Sequence, residues 1–113
     1  MKQLVFGLTL ITTIIVFQFC SSSKKAQNTV ATTSYSSHVQ SIVINNCSPC
    51  HVGANAKQTS LSSYDAVKNN IDNILARIHK NPGEKGFMPL KKPKLSDSTI
   101  QVFEKWKAEG FAQ

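Results

Sequence analysis

Three residues with reactive side chains meet within one short segment: Cys47, Cys50 and His51, in the stretch NNCSPCHVG. The whole chain has only 3 cysteines and 3 histidines among 113 residues, so this meeting asks for a chemical reason. Two thiols with two residues between them can close a disulfide, cycle as a redox dithiol or bind a soft metal. A disulfide here would close a tiny ring and remove little entropy from the unfolded chain, which makes it a poor staple. Zinc needs four ligands, and no second pair of cysteines or histidines follows; His51, adjacent to Cys50, is also badly placed to share one metal with both thiolates. A thioredoxin-like dithiol calls for a strand before the motif and a βαβ setting, and neither is legible.

A fourth chemistry uses all three side chains at this spacing. C-x-x-C-H is the signature of covalent haem c attachment. Two thiols three positions apart on a tight turn reach the two vinyl groups and form thioethers, and the next residue, His51, is carried beneath the iron as its proximal ligand. A sixth ligand is then wanted. Met88, the one methionine besides Met1, lies 37 residues after His51 in a loop between Gly86 and Pro89. Its thioether would be a soft ligand favouring Fe(II) and a raised potential. The competing readings are a space-filling core methionine, ligation by His79, and an open sixth position. His79 is expected at a helix C-terminus as a surface residue compatible with the helix dipole, and His38 lies too near the proximal side.

The elements that must position these residues read as helices throughout, because no segment alternates with period two. Ser36 and Ser37 are candidate N-caps for a first helix, with Val39, Ile42, Val43 and Asn46 at helical spacing, running into Cys47. Gly53 and Asn55 mark a loop to about Ser60. After Ser62 and Ser63, Tyr64, Val67, Ile71, Ile74, Leu75 and Ile78 recur in steps of three and four. They form one helix or two short ones broken at Asn69-Asn70, ended by Pro82-Gly83. The segment NPGEKGFMPLKKPK from Asn81 to Lys94 holds three prolines and two glycines and is irregular. The last helix starts at Ser96 as N-cap with Asp97 near its positive end, presents Ile100, Phe103 and Trp106, and stops at Gly110.

The N-terminus carries a separate message. Lys2 precedes an uncharged, mostly apolar run of 16 residues from Leu4 to Phe19. About 20 apolar residues are needed to span a bilayer, so the run suits a signal peptide over residues 1–19 better than an uncleaved anchor. Cys20, at the end of this run and followed by SSSKK, resembles the lipidated first residue of a bacterial lipoprotein. Cleavage after Thr29-Val30-Ala31 is the second choice. Either way the chain is expected to be exported, membrane-anchored through Cys20 in the first case and facing the periplasm or cell surface. Residues 20–35 are rich in Ser, Thr, Ala and Lys and read as a flexible tether. A coil of about 15 residues has a root-mean-square reach on the order of 20 Å.

The folded domain is then 36–113, all-α, three to four short helices. So few short helices rarely bury enough apolar surface to stand alone, and a cofactor in the core answers that need. Beyond residue 19 there remain 12 Lys+Arg against 6 Asp+Glu, a formal +6. Without interleaved aromatics or a helix-turn-helix pattern, this charge is not read as a nucleic-acid surface. It fits solvation or an acidic partner.

The stretch NNCSPCH closing a first helix, the GFMP loop and the terminal KLSDSTIQVFEKWKAEGF together resemble a small class I c-type cytochrome domain with one haem. The resemblance implies covalent haem c on Cys47 and Cys50, iron between His51 and Met88, and first and last helices crossing so that Val39, Ile42 and Val43 meet Ile100, Phe103 and Trp106. It implies an electron carrier rather than an enzyme, passing single electrons between membrane or periplasmic redox proteins, with no small-molecule substrate. Lys91, Lys92 and Lys94 are expected either to dock an acidic partner or merely to solvate their loop. Two alternatives stay open: a cytochrome subunit of a larger membrane complex, and a haem enzyme or gas sensor with a free sixth position.

Overall fold

A computed structural model describes residues 31–54, 56 and 59–113. The expected signal peptide, Cys20 and the expected tether up to residue 30 lie outside the described residues, as do Asn55, Lys57 and Gln58. Among the described residues the protein is helical without strands, and no helix is long and apolar enough to cross a membrane.

The first helix starts earlier than the serine pattern suggested. A π-helical turn, Tyr35–Val39, runs directly into α1, Gln40–Cys47. Its N-cap is Ser34, whose hydroxyl accepts from the Ser37 amide at 3.3 Å, while the Ser34 amide donates to His38 Nδ1 at 3.1 Å. Ser36 and Ser37 thus lie inside the turn rather than capping it. The cause is Tyr35, which is buried in the core and obliges the chain to become helical before it. Packing even reaches Thr33, which is buried and donates its amide to Glu109 Oε2 at 2.6 Å. Buried packing therefore reaches two or three residues ahead of the boundary placed at Ser36. The Thr33 amide, helped by Lys105, holds the Glu109 carboxyl below its ordinary range against a smaller opposing effect of desolvation.

The middle stretch is two helices, α2 over Tyr64–Asn69 and α3 over Ile71–Ile78. Ser63 caps α2 by accepting from the Ala66 amide at 3.2 Å. Asn70 makes the break, with φ −107° and ψ 7°, and its side chain donates back to the Ala66 carbonyl at 2.8 Å. That bond offers the backbone an alternative to continuing the helix, as asparagine commonly does.

The last helix, α4, is Asp97–Ala108, and Ser96 caps it by accepting from the Thr99 amide at 3.2 Å. Its end is a Schellman turn. Gly110 takes φ 84°, its amide donates to the Lys107 carbonyl at 3.2 Å, and the Phe111 amide donates to the Trp106 carbonyl at 3.0 Å. Phe111 itself has φ 64°, a conformation costly for a bulky residue. Two contacts hold it there: its ring lies edge-on to Trp106 at 4.9 Å between centroids, and its carbonyl accepts from the Tyr64 hydroxyl at 2.7 Å.

The π-helical turn and the C-terminal residues meet in an aromatic cluster. Tyr35 and Tyr64 both pack on Trp106, at 5.7 and 5.8 Å between centroids, and on each other at 5.5 Å. Ala112 joins them, its carbonyl accepting from the Tyr35 amide at 2.8 Å and from Trp106 Nε1 at 2.7 Å. Val39, Val43, Ile100, Phe103 and Trp106 share one buried cluster, and Ile42 is partly buried against it. The first helical stretch and the last helix thus contribute to the same core. The main contact of the last helix, however, runs from α4 to the π-helical turn and to α3 rather than along α1.

Candidate cofactor site

The reactive segment is held as a continuation of α1. The His51 amide donates to the Cys47 carbonyl at 2.9 Å, so Cys47, Cys50 and His51 lie on one tight turn at the helix end. Both cysteines are free thiols, Cys47 half-buried and Cys50 exposed. Burial pushes the Cys47 thiol up, and the positive charge of Lys92 opposes that rise.

The imidazole of His51 is oriented by Thr59, a residue of the following loop that the pattern did not single out. Its Nδ1 lies 2.8 Å from the Thr59 carbonyl oxygen. A carbonyl can only accept, so Nδ1 carries a proton, and in the neutral ring Nε2 then keeps its lone pair for a ligand. The same arrangement fixes metal-binding histidines in general. Leu61 anchors this loop: its side chain is buried in the core and its amide donates to the His51 carbonyl at 2.7 Å.

Met88 is delivered by the irregular segment after α3. Successive turns carry it, with the Glu84 amide on the Asn81 carbonyl and the Phe87 amide on the Glu84 carbonyl, each at 3.0 Å. The Met88 amide donates to the Arg77 carbonyl at 3.3 Å, which ties the loop to the end of α3. Gly86 sits at φ 86°, where a side chain would be strained and its Cβ would also lie 3.3 Å from an Arg77 nitrogen.

These elements surround two cavities. The larger, about 510 Å³, lies in the size range of cofactor pockets. Cys47, Cys50, His51 and Met88 all line it, and Pro49, Ile78, Pro89, Leu90 and Leu95 give it an apolar wall. The smaller, about 100 Å³, shares Cys47, His51, Ile78 and Met88 and adds polar groups from Thr59, from Asn70 between α2 and α3, and from Asn73 and Arg77 of α3. The four residues singled out by type and spacing are thus brought to one place. The other two histidines are not. His38 is engaged with the Ser34 amide, and His79 lies exposed at the end of α3 with Nε2 3.0 Å from Glu104 Oε1. Among the described residues no group of three or more His, Cys, Asp and Glu converges as a metal cluster would.

Two of the three loop lysines do structural work that their spacing did not disclose. Lys92 Nζ donates to the carbonyls of Asn45, Asn46 and Ser48 at 2.9, 3.4 and 3.4 Å, so it closes the C-terminus of α1 from the methionine loop. Lys94 Nζ reaches the His79 carbonyl and Asn81 Oδ1 at 3.2 and 3.1 Å, doing the same for α3. Lys91, at φ 60° and exposed, is left facing solvent. A cation at a helix C-terminus contributes about 0.3–1 kcal/mol. Lys92→Ala is therefore expected to lower the melting temperature by about 2–8 °C for a domain of this size, with Lys92→Arg losing less. A thermal melt followed by circular dichroism checks this.

The arrangement offers two thiols, an imidazole and a thioether around one apolar cavity. Compared with protein-family models, with curated proteins and with solved structures, the chain matches none.

Proposed function

We propose that this chain is a monohaem c-type cytochrome that carries single electrons. The observation that carries the reading is the gathering of Cys47, Cys50, His51 and Met88 on one apolar cavity of about 510 Å³, with His51 held in the tautomer that frees Nε2. Cys47 and Cys50 would retain the haem through thioethers, while His51 Nε2 and the Met88 sulfur would bind its iron. A haem so held supplies one-electron Fe(III)/Fe(II) exchange. The chain's own part would be to hold the iron through His51 and Met88 and to wall the cavity with Ile78, Pro89 and Leu95.

Leu90 lines the cavity yet is 65% exposed, and Lys91 follows it. With Lys92 and Lys94 engaged on helix ends, Leu90 and Lys91 are the residues left to meet a redox partner. An apolar contact flanked by one cation fits a small, transient interface, and an acidic partner remains the complementary choice. In this reading export through residues 1–19 and lipidation of Cys20 keep the carrier at the membrane surface.

Met88→Ala tests the assignment. The wild-type reduced protein is expected to resist carbon monoxide, and its oxidised spectrum to show a thioether–iron charge-transfer band. The variant is expected to bind carbon monoxide readily and to lose the band. Equal carbon monoxide binding by both proteins, with no such band in either, would replace the carrier by a haem protein with an open sixth position.

A further inference from the structure

The turn that follows Met88 has few holds on the rest of the chain. Pro89 is buried, Leu90 is exposed, and Lys91 takes φ 60°, the left-handed region that a residue with a side chain enters at a cost. Such a backbone persists only where its surroundings hold it. The Lys92 amide closes the turn on the Pro89 carbonyl at 3.3 Å, a bond inside the segment itself. Among the described residues, the only hydrogen bonds that join residues 89–92 to another part of the chain come from Lys92 Nζ.

What that ammonium grips is the opposite wall of the large cavity. Its acceptors, the carbonyls of Asn45, Asn46 and Ser48, flank Cys47 at the end of α1. The Asn45 carbonyl has no helical donor to expect, because the residue four positions on is Pro49, which lacks an N–H. An ammonium carries three donors, and bonds from a charged donor are stronger than neutral ones. Cys47 and Ser48 line the cavity from the thiol side, and Met88, Pro89 and Lys92 line it from the methionine side. Lys92 therefore straps one side to the other. Met88 lies between that strap, three residues away, and its own amide bond to the Arg77 carbonyl.

We propose that Lys92 is a positioning residue: it latches the methionine segment onto the thiol-bearing turn and so sets how long Met88 stays on the iron. The inference rests on the reading above, in which Met88 is a ligand. A lysine that only closed a helix would change the stability of the domain, whereas a latch changes the residence of one side chain.

The test is the exchange of Met88 for imidazole in the oxidised, haem-loaded protein, followed by stopped flow at the thioether–iron charge-transfer band. At saturating imidazole the observed rate is the rate at which Met88 leaves. Lys92→Met is expected to raise this limiting rate about two- to fivefold, the ratio that a cation at a helix C-terminus supplies. Lys92→Arg keeps a charged donor and should stay near the wild type. Trp106→Phe weakens the core through the last turns of α4, so it should lower the melting temperature and leave the limiting rate unchanged. A rate unmoved by Lys92→Met, or raised equally by Trp106→Phe, would overturn the inference. The wild type alone supplies a second check: in the reduced protein, NMR should show the Lys92 ammonium protons exchanging with solvent more slowly than those of Lys91. Equal exchange would overturn the latch without any variant. A wild type with a c-type haem spectrum but no charge-transfer band would remove Met88 as ligand and the latch with it. The haem assignment fails separately, if no c-type spectrum is seen at all.

Discussion

Replacing both Cys47 and Cys50 with alanine is expected to give a chain that retains no haem through denaturing electrophoresis, where the wild type is expected to retain one per chain. The two thiols are the only sulfhydryls among the described residues, and they lie on the same turn as His51. Without thioethers His51 and Met88 alone would hold the group, and axial bonds do not survive denaturation. The loss should reach the fold as well. A dry void of about 510 Å³ would cost on the order of 12 kcal/mol at 24 cal/mol per Å³. A domain of about 80 residues has a total stability of only about 4–12 kcal/mol. The empty chain must therefore flood or collapse the cavity, and circular dichroism should show lower helicity than in the loaded wild type. A double variant with full helicity and unchanged melting temperature would mean that the core stands without the cofactor.

Trp106→Ala is the second large effect, and it acts through packing rather than ligation. Trp106 is fully buried, touches Tyr35, Tyr64 and Phe111, and donates Nε1–H to the Ala112 carbonyl at 2.7 Å. Truncating a buried aromatic to alanine costs about 3–5 kcal/mol, which is a large part of the stability expected for this size. The tryptophan also holds Phe111 at its positive φ and so closes the end of α4. Chemical denaturation should show the midpoint falling steeply. Trp106→Phe keeps most of the buried area and forfeits the hydrogen bond, worth about 0.5–1.5 kcal/mol, so it should lie between the two.

Much of this architecture was legible because the signals were local. Ser96 and Gly110 bracket α4 through caps that depend on a few neighbouring residues, and both act as their types suggest. The spacing of Val39, Val43, Ile100, Phe103 and Trp106 likewise named residues that share the buried cluster. Non-local partners were hidden. The start of the first helix moved to Ser34 because Tyr35 packs against Tyr64 and Trp106, contacts that no window around Ser36 contains. The break at Asn70 rests on a side-chain bond to Ala66, equally compatible beforehand with a continuous helix.

The candidate site divides the same way. Cys47, Cys50, His51 and Met88 announced themselves by type and spacing, and they line one cavity. Thr59 contributes through its backbone carbonyl, which any residue could supply, so its identity carried no signal. Lys92 and Lys94 resembled a solvated basic run, because the carbonyls they reach lie in distant or separate elements. Arg77 looked like an ordinary charge at the end of an amphipathic helix, and only the three-dimensional arrangement places it beside the second cavity.

The most direct test of the central claim is the mass of the peptide spanning Cys47 to His51, taken from protein produced in an exporting host that attaches haem. The account predicts that this peptide carries one haem, joined through both thiols. The same peptide recovered unmodified, or with Cys47 and Cys50 joined as a disulfide, from a host that loads other c-type proteins would contradict it.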